Sequence, residues 1–343
     1  MKVTSASVDF PAALAIVREG GAMDEAQSTR LFESIISGGM PDADLKALLE
    51  AQAARGPTVP EIVGAVKAMR ALMRPVTAPA EAIDLCGTGG DGHGTLNIST
   101  AVSFVAAGAG VPVAKHGNRS ATSKSGAADI LEALGVKVDL APERAAQVLR
   151  ETGIVFLFAQ VHHPAMARVA AVRKQIKGRT IFNLLGPLAS PAGVTRQLVG
   201  IYAREWLAPY AEALRRLGAV RAMVVHGADG LDELTTTDVT HFASLEDGRI
   251  DIGTIAPEDA GLKRASLSDL KGGDAARNAA ALTRLLDGEQ GAYRDIVLLN
   301  CGAALLVAGV APDIKSGVAL AARSLDSGAA KAKLKALIEA SNT

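Results

Sequence analysis

Short apolar runs alternate with helix-length segments through most of this chain, and this alternation limits the possible folds more than any other feature. The runs are Ala82–Cys86, Val111–Lys115, Ile154–Ala159, Gln197–Tyr202 and Ala222–His226. Mostly continuous apolar strands of this length are typical of a parallel sheet covered on both faces, because neither side of such a strand meets water. Segments such as Pro142–Thr152 and Arg204–Leu217 have the length of crossover helices. The pattern predicts an α/β fold with a mostly parallel central sheet flanked by helices.

The beginning of the chain has a different pattern. From Phe10 to Met73, apolar residues recur at helical spacing and no strand signal appears. Thr58 and Glu61 have the spacing of a capping box, which predicts a helix start there. A Pro/Ala segment follows Arg74 and ends the helical pattern.

This change of pattern predicts two domains. We expect a smaller all-helical domain over residues 1–76, joined by a segment near 165–190, and a large α/β domain over residues 77–343. The stretch from about Lys271 to Ala340 returns to a helical pattern.

The charge balance disfavours two classes of partner. The 36 Lys and Arg residues equal the 36 Asp and Glu residues, so no overall positive field exists to hold nucleic acid or an anionic membrane. The uncharged run Ile296–Ala311 is interrupted by Asn300 and Gly302 and is shorter than the roughly 20 residues of a spanning helix. It predicts a buried core helix, and we expect neither a nucleic-acid nor a membrane partner.

The two cysteines, Cys86 and Cys301, lie far apart and lack a metal-site or disulfide spacing. A reduced cytoplasmic location fits this usage. The first residues contain only a short apolar run broken by Pro11, a poor export signal, so we expect the mature chain to start near Met1.

A glycine-rich loop is the strongest local signal for chemistry. Five glycines occur within the eight residues GTGGDGHG, between a predicted strand and a predicted helix. Such a loop exposes successive backbone N–H groups beside a helix N-terminus, which suits a phosphate. Gly87, Gly89 and Gly92 also match the dinucleotide motif, but the next strand ends in Lys115 and His116 rather than the acidic residue that binds ribose. No Gly-Lys-Ser/Thr follows, which excludes a Walker A loop.

A second loop, KHGNRSATSKSG, combines three cations with several hydrogen-bond donors. It follows the next predicted strand, so both loops are expected at the carboxyl edge of the sheet, where α/β folds bind ligands. Its composition favours a polyphosphate.

Two further features complete the candidate site. The adjacent carboxylates Asp232 and Glu233 follow another predicted strand, and hard oxygen ligands of this kind hold Mg²⁺ when a phosphorylated ligand completes the coordination. Arg173 lies on a short predicted helix and is a candidate for pairing with a substrate carboxylate. His162 and His163 are adjacent and so do not form a metal pair; we interpret one as packing and one as lining a pocket.

Several long motifs in order carry a family resemblance: GTGGDG followed by NIST, KHGNRSATSKSGAADILEALG, HPAM with VR, RTIFNLLGPL and VVHGADGLDE. The chain resembles the anthranilate phosphoribosyltransferase family, glycosyltransferases of tryptophan biosynthesis, nearly from end to end. The resemblance implies a type III phosphoribosyltransferase fold, transfer of the phosphoribosyl group of 5-phosphoribosyl 1-pyrophosphate (PRPP) to anthranilate, Mg²⁺ as cofactor, a homodimer and a cytoplasmic location.

The resemblance also implies roles for individual residues, none of them assigned as catalytic. Mg²⁺ would be held by Ser99, Asp232 and Glu233, and anthranilate by Gly87, Asn118 and Arg173. The residues that would bind PRPP are Gly87, Gly90, Asp91, Thr95, Asn97, Ile98, Ser99, Thr100, Lys115, His116, Gly117, Asn118, Arg119, Ser120, Ala121, Thr122, Ser123 and Ala127.

Some positions depart from the family pattern. Cys86 replaces a small aliphatic residue and Ala127 a frequent phosphate-contacting serine, while Gln160, Val161 and Ala171 replace residues on the side expected to face the aromatic substrate. The last three departures bear on acceptor specificity, whereas Ala127 would remove one hydroxyl from the phosphate side. Another aromatic amine as acceptor, a nucleoside phosphorylase-like activity, and a non-catalytic binding protein remain as alternatives.

Overall fold

The structure is a computed structural model that describes residues 9–120 and 124–343. The helices are α1 (Phe10–Arg18), α2 (Glu25–Ile36), α3 (Asp42–Arg55), α4 (Val59–Ala71), α5 (Ile98–Gly108), α6 (Ala127–Ala133), α7 (Pro142–Thr152), α8 (Ala159–His162), α9 (Met166–Arg173), α10 (Phe182–Leu185), α11 (Leu207–Arg216), α12 (Ala275–Leu286), α13 (Ala292–Ala308), α14 (Ile314–Asp326) and α15 (Ala329–Asn342).

The strands form a seven-stranded sheet in the order β3-β2-β1-β4-β5-β6-β7. Their bounds are β1 (Ile83–Gly87), β2 (Val113–Gly117), β3 (Ile154–Phe158), β4 (Arg196–Gly200), β5 (Arg221–Gly227), β6 (Thr240–Glu246) and β7 (Arg249–Ile255). Strands β1 to β5 are parallel, and β6 and β7 are antiparallel to their neighbours. The predicted α/β fold with a mostly parallel sheet is confirmed.

The chain contacts separate into two compact units. The helical unit contains the chain up to Arg74 and His162–Ala189, and the sheet unit contains Pro75–Val161 and Ser190–Thr343. In the helical unit, α4 begins at Val59 with the predicted capping box, in which Glu61 accepts a 2.9 Å hydrogen bond from the Thr58 N–H.

All five predicted strands are present, and no end is displaced by more than two residues. β6 and β7 were not predicted, because they lie at one end of the sheet order and are not continuous apolar runs. In β7 no residue is buried, and in β6 buried and partly exposed residues are mixed. The segment predicted as one helix over Arg204–Leu217 begins with a 3₁₀ turn, Arg204–Trp206, before α11.

The sheet is packed against a core that includes α5 and α13. The apolar run that begins at Ile296 lies in α13, and most of that helix is buried, as predicted. None of the helices within residues 9–120 and 124–343 is long and apolar enough to cross a membrane.

Two glycines set the distance between α13 and α14. A Cβ atom on Gly317 would lie 2.5 Å from the carbonyl oxygen of Gly302, and a Cβ on Gly302 would lie 2.8 Å from the carbonyl oxygen of Ile314. Because backbone atoms rather than flexible side chains fill this space, the helices approach each other only where side chains are absent.

We predict that Gly317→Ala lowers the free energy of unfolding by about 1–3 kcal/mol, because the added methyl group forces the two backbones apart. Denaturant unfolding followed by circular dichroism measures the loss. Gly186→Ala is the control, since its Cβ would meet no atom within 4 Å and its φ is −50°. Equal midpoints for the two variants would contradict the close helix contact.

Candidate active site

The site forms where the order of strands reverses. From β1 the chain proceeds through β2 to β3 on one side, and then returns to place β4 on the other side of β1. Open α/β sheets bind ligands at such a switch point, beyond the carboxyl ends of the strands. Three of the loops that follow strand ends carry most of the candidate residues of this unit: the glycine loop (88–97) after β1, the cationic loop (118–126) after β2, and the acidic loop (228–239) after β5.

The glycine loop contains left-handed backbone that only glycine adopts easily. Gly89 and Gly90 have φ values of +66° and +81°. The end of the loop is fixed by the segment before α12, because the Leu96 N–H donates to the Leu270 carbonyl at 2.9 Å and Thr95 pairs with Lys271 in an isolated bridge. Asp91 accepts a 3.2 Å hydrogen bond from the His93 N–H.

Asn97 precedes α5 and joins the first two loops. Its Nδ2 donates to the Ser125 carbonyl of the cationic loop at 3.4 Å, and its Oδ1 accepts from Asn278 Nδ2 at 2.9 Å. The Tyr293 hydroxyl donates to the Asn97 carbonyl at 3.2 Å. In the following first turn of α5, Ile98 and Thr100 are buried.

Lys115 is a buried cation at the end of β2, with only 4% of its surface exposed. Its Nζ donates to the Leu85 carbonyl and, at 3.1 Å, to Ser99 Oγ.

The next residue of β2 contacts a buried carboxylate: the His116 N–H donates to Asp84 Oδ1 at 2.9 Å. Burial raises the pKa of Asp84 to about 6, although the Lys115 charge opposes this shift. Gly117 ends the strand, and a Cβ there would lie 2.7 Å from the Phe156 ring.

The cationic loop is tied back to α6. Arg119 donates to Asp129 at 2.9 Å and to both oxygens of Glu132 at 2.6 Å. Asp129 also accepts from the N–H groups of Ser120 and Gly126, which lie on either side of the predicted residues Ala121, Thr122 and Ser123. Those three residues lie outside the described part of the chain. Ala127 begins α6 directly after the loop.

Asn118 is exposed at the start of the same loop. Its Oδ1 accepts from the Arg119 N–H at 2.8 Å and from Gln160 Nε2 at 3.4 Å. Gln160 is one of the departures from the family pattern, so a residue not assigned to the site contacts a predicted ligand-binding side chain.

The acidic loop comes close to the ends of β1 and β4. Asp232 Oδ2 accepts a 2.7 Å hydrogen bond from the Gly89 N–H. A Cβ on Gly87 would lie 2.5 Å from the same carboxylate, and a Cβ on Gly200 would overlap the Asp232 carbonyl oxygen. The absence of two side chains therefore allows Asp232 to reach the glycine loop.

Three carboxylates influence each other at this point. Burial and the charges of Glu233 and Asp91 raise the pKa of Asp232 well above its ordinary value. Burial raises the pKa of Glu233 to about 7, while Lys115 and the hydrogen bonds from Ser99 favour its ionised form. Like-charged groups held together in this way favour a bound cation.

The donor set fits Mg²⁺ rather than a softer metal. The predicted ligands Asp232, Glu233 and Ser99 offer carboxylate and hydroxyl oxygen atoms, which hard cations prefer. Within the described ranges, no group of three or more His, Cys, Asp and Glu residues could hold a metal alone.

Arg173 belongs to the helical unit. Its guanidinium lies 5.5 Å from the centroid of the Phe182 ring, and burial lowers its pKa. Arg168, on the same helix, is paired with Asp42 at 3.0 Å. Both histidine rings contact backbone carbonyls, His162 that of Arg74 and His163 that of Ala189. That one of the two rings lines a pocket stays a prediction.

Sequence reasoning missed several side chains that form hydrogen bonds with the loops and strand ends of the site: Asp84, Asp129, Asn278, Tyr293 and Asn300. A signal existed for some of them, because a lone polar residue within a buried apolar run needs hydrogen-bond partners. The partners themselves are distant in the sequence, as with Asn97 and Asn278, and no local pattern identifies them.

Two family models match the chain. The model described as the a/b domain of the glycosyl transferase family matches residues 79–331, and that of the helical bundle domain of the glycosyl transferase family matches residues 11–73.

Similar proteins share one name. The anthranilate phosphoribosyltransferase of Rhodopseudomonas palustris strain BisB18 is 54% identical over 97% of this chain and 98% of its own length. The crystal structure of the same enzyme from Thermus thermophilus is 44% identical, covers 96% of this chain and 99% of its own, and has a TM-score of 0.91. The Saccharomyces cerevisiae structure in complex with PRPP and Mg is 24% identical over 99% of both chains, with a TM-score of 0.89, which shows the shared fold.

We predict that Gly200→Ala lowers the free energy of unfolding by about 1–3 kcal/mol or more, because its methyl group would overlap the Asp232 backbone. Gly87→Ala is the matched variant and should lose less, since its methyl group meets a carboxylate that rotates away. Denaturant unfolding of both variants tests this order. A Gly200→Ala protein as stable as Gly87→Ala would show that the backbone contact is absent.

Proposed function

The chain belongs to the anthranilate phosphoribosyltransferase branch of the glycosyl transferase family, and from this we propose that it transfers the phosphoribosyl group of PRPP to anthranilate in tryptophan biosynthesis. The products are N-(5-phosphoribosyl)anthranilate and pyrophosphate. The observation that carries the proposal is the hydrogen bond from the Gly89 N–H to Asp232. It holds a carboxylate, the kind of group that binds Mg²⁺, beside a glycine-rich loop, the kind of loop that binds phosphate.

In this proposal PRPP lies along the glycine and cationic loops. The N–H groups of the glycine loop and the N-terminus of α5 supply positive potential for its phosphate groups. Asn97 and Ser99 occupy that terminus, and Lys115 adds a buried cation beside them. The same role is proposed for the other PRPP residues named from the sequence, including Ala121, Thr122 and Ser123.

The proposed metal site consists of Ser99, Asp232 and Glu233 with Mg²⁺, the metal present with PRPP in the yeast structure. When bound there, Mg²⁺ neutralises pyrophosphate and so makes it a better leaving group. Lys115 donates to Ser99 Oγ at 3.1 Å, and its charge opposes the burial that raises the pKa of Glu233 to about 7, so it favours the ionised form that would bind the metal.

The reaction then depends on position and electrostatics. The bond between C1 of the ribose and the pyrophosphate oxygen breaks, the anthranilate nitrogen bonds to C1, and the nitrogen releases a proton. Positive potential at the two loops stabilises the electron pair that leaves with pyrophosphate. The aromatic amine is nucleophilic without prior deprotonation, so no strong base is required before attack.

Anthranilate is proposed to contact Gly87, Asn118 and Arg173. The guanidinium of Arg173 suits the carboxylate of the acceptor, because it can donate two parallel hydrogen bonds. Gln160 constrains the Asn118 amide, since it donates to Asn118 Oδ1.

We also propose a homodimer, a cytoplasmic location and the domain limits 1–76 and 77–343, with the segment near 165–190 joined to the smaller domain. Both cysteines are free, which suits a reducing compartment. Size-exclusion chromatography with light scattering tests the dimer.

The proposed reaction is tested by the fluorescence of anthranilate. Purified protein is mixed with anthranilate, PRPP and Mg²⁺, and the loss of anthranilate fluorescence is followed with and without metal. Loss that requires metal supports the proposal. A flat trace from folded protein that binds PRPP would contradict it, and other aromatic amines and then nucleosides with phosphate would be tried.

We predict that Asp232→Asn combined with Glu233→Gln lowers kcat/KM by about 100-fold or more, because both carboxylate ligands of the metal are removed. The fluorescence assay measures the loss. Glu258→Gln combined with Asp259→Asn is the control, since it neutralises an adjacent acidic pair that is exposed in the same unit. Similar activity in both double variants would contradict the metal role.

We predict that Arg173→Gln raises the KM for anthranilate about tenfold or more, because a charge-assisted hydrogen bond contributes roughly 1.5–3 kcal/mol. The KM for PRPP should change little. Arg168→Gln is the matched control on the same helix, since Arg168 is already paired with Asp42. An unchanged anthranilate KM in Arg173→Gln would remove Arg173 from the acceptor site.

A further inference from the structure

Asn300 is a polar side chain that the proposed reaction does not use. It lies in the middle of α13 among apolar residues and is 0% exposed. A buried amide lowers stability unless its donors and acceptor are paired, and an apolar residue would fill the same space without that requirement. The reason for an amide must therefore lie in its partners.

Those partners are concentrated on one residue of the acidic loop. Asn300 Oδ1 accepts from the Leu234 N–H at 2.9 Å, and Asn300 Nδ2 donates to the Leu234 carbonyl at 2.8 Å. The second hydrogen on Nδ2 is donated to the Ile296 carbonyl, also at 2.8 Å, one turn earlier in α13. The amide is thus fixed by its own helix and holds both backbone groups of Leu234.

Leu234 directly follows Asp232 and Glu233. On the other side of these carboxylates, Asp229 accepts from the Leu231 N–H at 3.2 Å and from the Thr235 hydroxyl at 2.6 Å. These bonds stay within the acidic loop, so they shape the loop but do not fix it relative to the rest of the sheet unit. Asn300 supplies an anchor from a long buried helix.

The anchor has a specific mechanical consequence. Asp232 and Glu233 are adjacent in the chain, and the Gly89 N–H holds Asp232 Oδ2 at 2.7 Å, so two carboxylates of like charge are kept beside the glycine loop. A free loop would relax by moving the carboxylates apart. The loop backbone is held by Asn300 at Leu234 and lies against Gly200 at the Asp232 carbonyl. These two contacts keep the Asp232 and Glu233 side chains from moving apart.

We propose that Asn300 is a positioning residue that keeps Asp232 and Glu233 in place for a divalent cation. This role rests on the metal site of the proposed function and does not depend on which acceptor the protein uses. Groups that orient metal ligands without touching the metal typically change metal affinity by about 10- to 100-fold.

The test uses two variants of the full chain. Asn300→Leu is nearly the same size and removes all three hydrogen bonds. Asn300→Ser is the milder variant, because its hydroxyl can bond back to the Ile296 carbonyl and preserve the helix while losing Leu234. Ser324→Ala is the matched control, since it removes a buried 2.8 Å hydrogen bond between α14 and the Val105 carbonyl of α5.

Two readouts separate positioning from stability. Binding of Mn²⁺ in the presence of PRPP, followed by electron paramagnetic resonance, should weaken about 10- to 100-fold in both Asn300 variants and stay unchanged in Ser324→Ala. Hydrogen exchange should speed up at the Leu234 amide in the Asn300 variants only. Turnover at saturating Mg²⁺ should fall by less than the metal affinity does.

The outcomes distinguish this inference from the proposed reaction. Unchanged Mn²⁺ binding in the Asn300 variants, or equal weakening in Ser324→Ala, would overturn the positioning role. Absence of Mn²⁺ binding by the unaltered protein would overturn it as well. Mn²⁺ binding that depends on Asn300, without transfer to anthranilate, would support the positioning role and count against the proposed reaction alone.

Discussion

The close approach of the acidic loop to the ends of β1 and β4 is the constraint on which the candidate site depends. Gly87 and Gly200 leave room for Asp232, and the Gly89 N–H then reaches its carboxylate at 2.7 Å. Without that approach the predicted metal ligand Asp232 would not lie beside the glycine loop. The sheet supplies the geometry, because parallel strands end at one edge and bring their following loops together.

The same approach gathers charges of one sign, which destabilises the folded protein. Asp91, Asp232 and Glu233 repel each other, and Lys115 is the cation that acts most directly on Glu233. Functional sites commonly hold such unfavourable arrangements, which the surrounding structure stabilises. Here the surrounding structure includes the backbone anchor at Leu234 and the close contact of α13 with α14 that holds the helix carrying Asn300.

The strands that could be predicted from the sequence are those whose residues are mostly buried on both faces of the sheet. Strands β1 to β5 are central and read as continuous apolar runs, whereas β6 and β7 lie at the end of the sheet order and mix buried with exposed residues. Loop composition identified the glycine, cationic and acidic loops, because phosphate and magnesium require particular atoms. It did not identify Asn278 or Asn300, since their function depends on partners 181 and 66 residues away. Nor did it predict that Arg119 would pair with α6.

The pairing of Arg119 with α6 reduces the positive charge that the cationic loop can offer to a ligand. Arg119 is committed to Asp129 and Glu132, and Asp129 also accepts from N–H groups on both sides of the segment 121–123. An arginine paired in this way shapes the loop more than it adds free positive charge, because its carboxylate partners cancel its field at a distance. In the proposed function, neutralisation of pyrophosphate therefore draws on the N-terminus of α5, on Lys115 and on the metal as well as on the cationic loop. In the proposed function, a metal bound by Asp232 and Glu233 would add positive charge beside that of Lys115, which gives a physical reason for holding these carboxylates firmly.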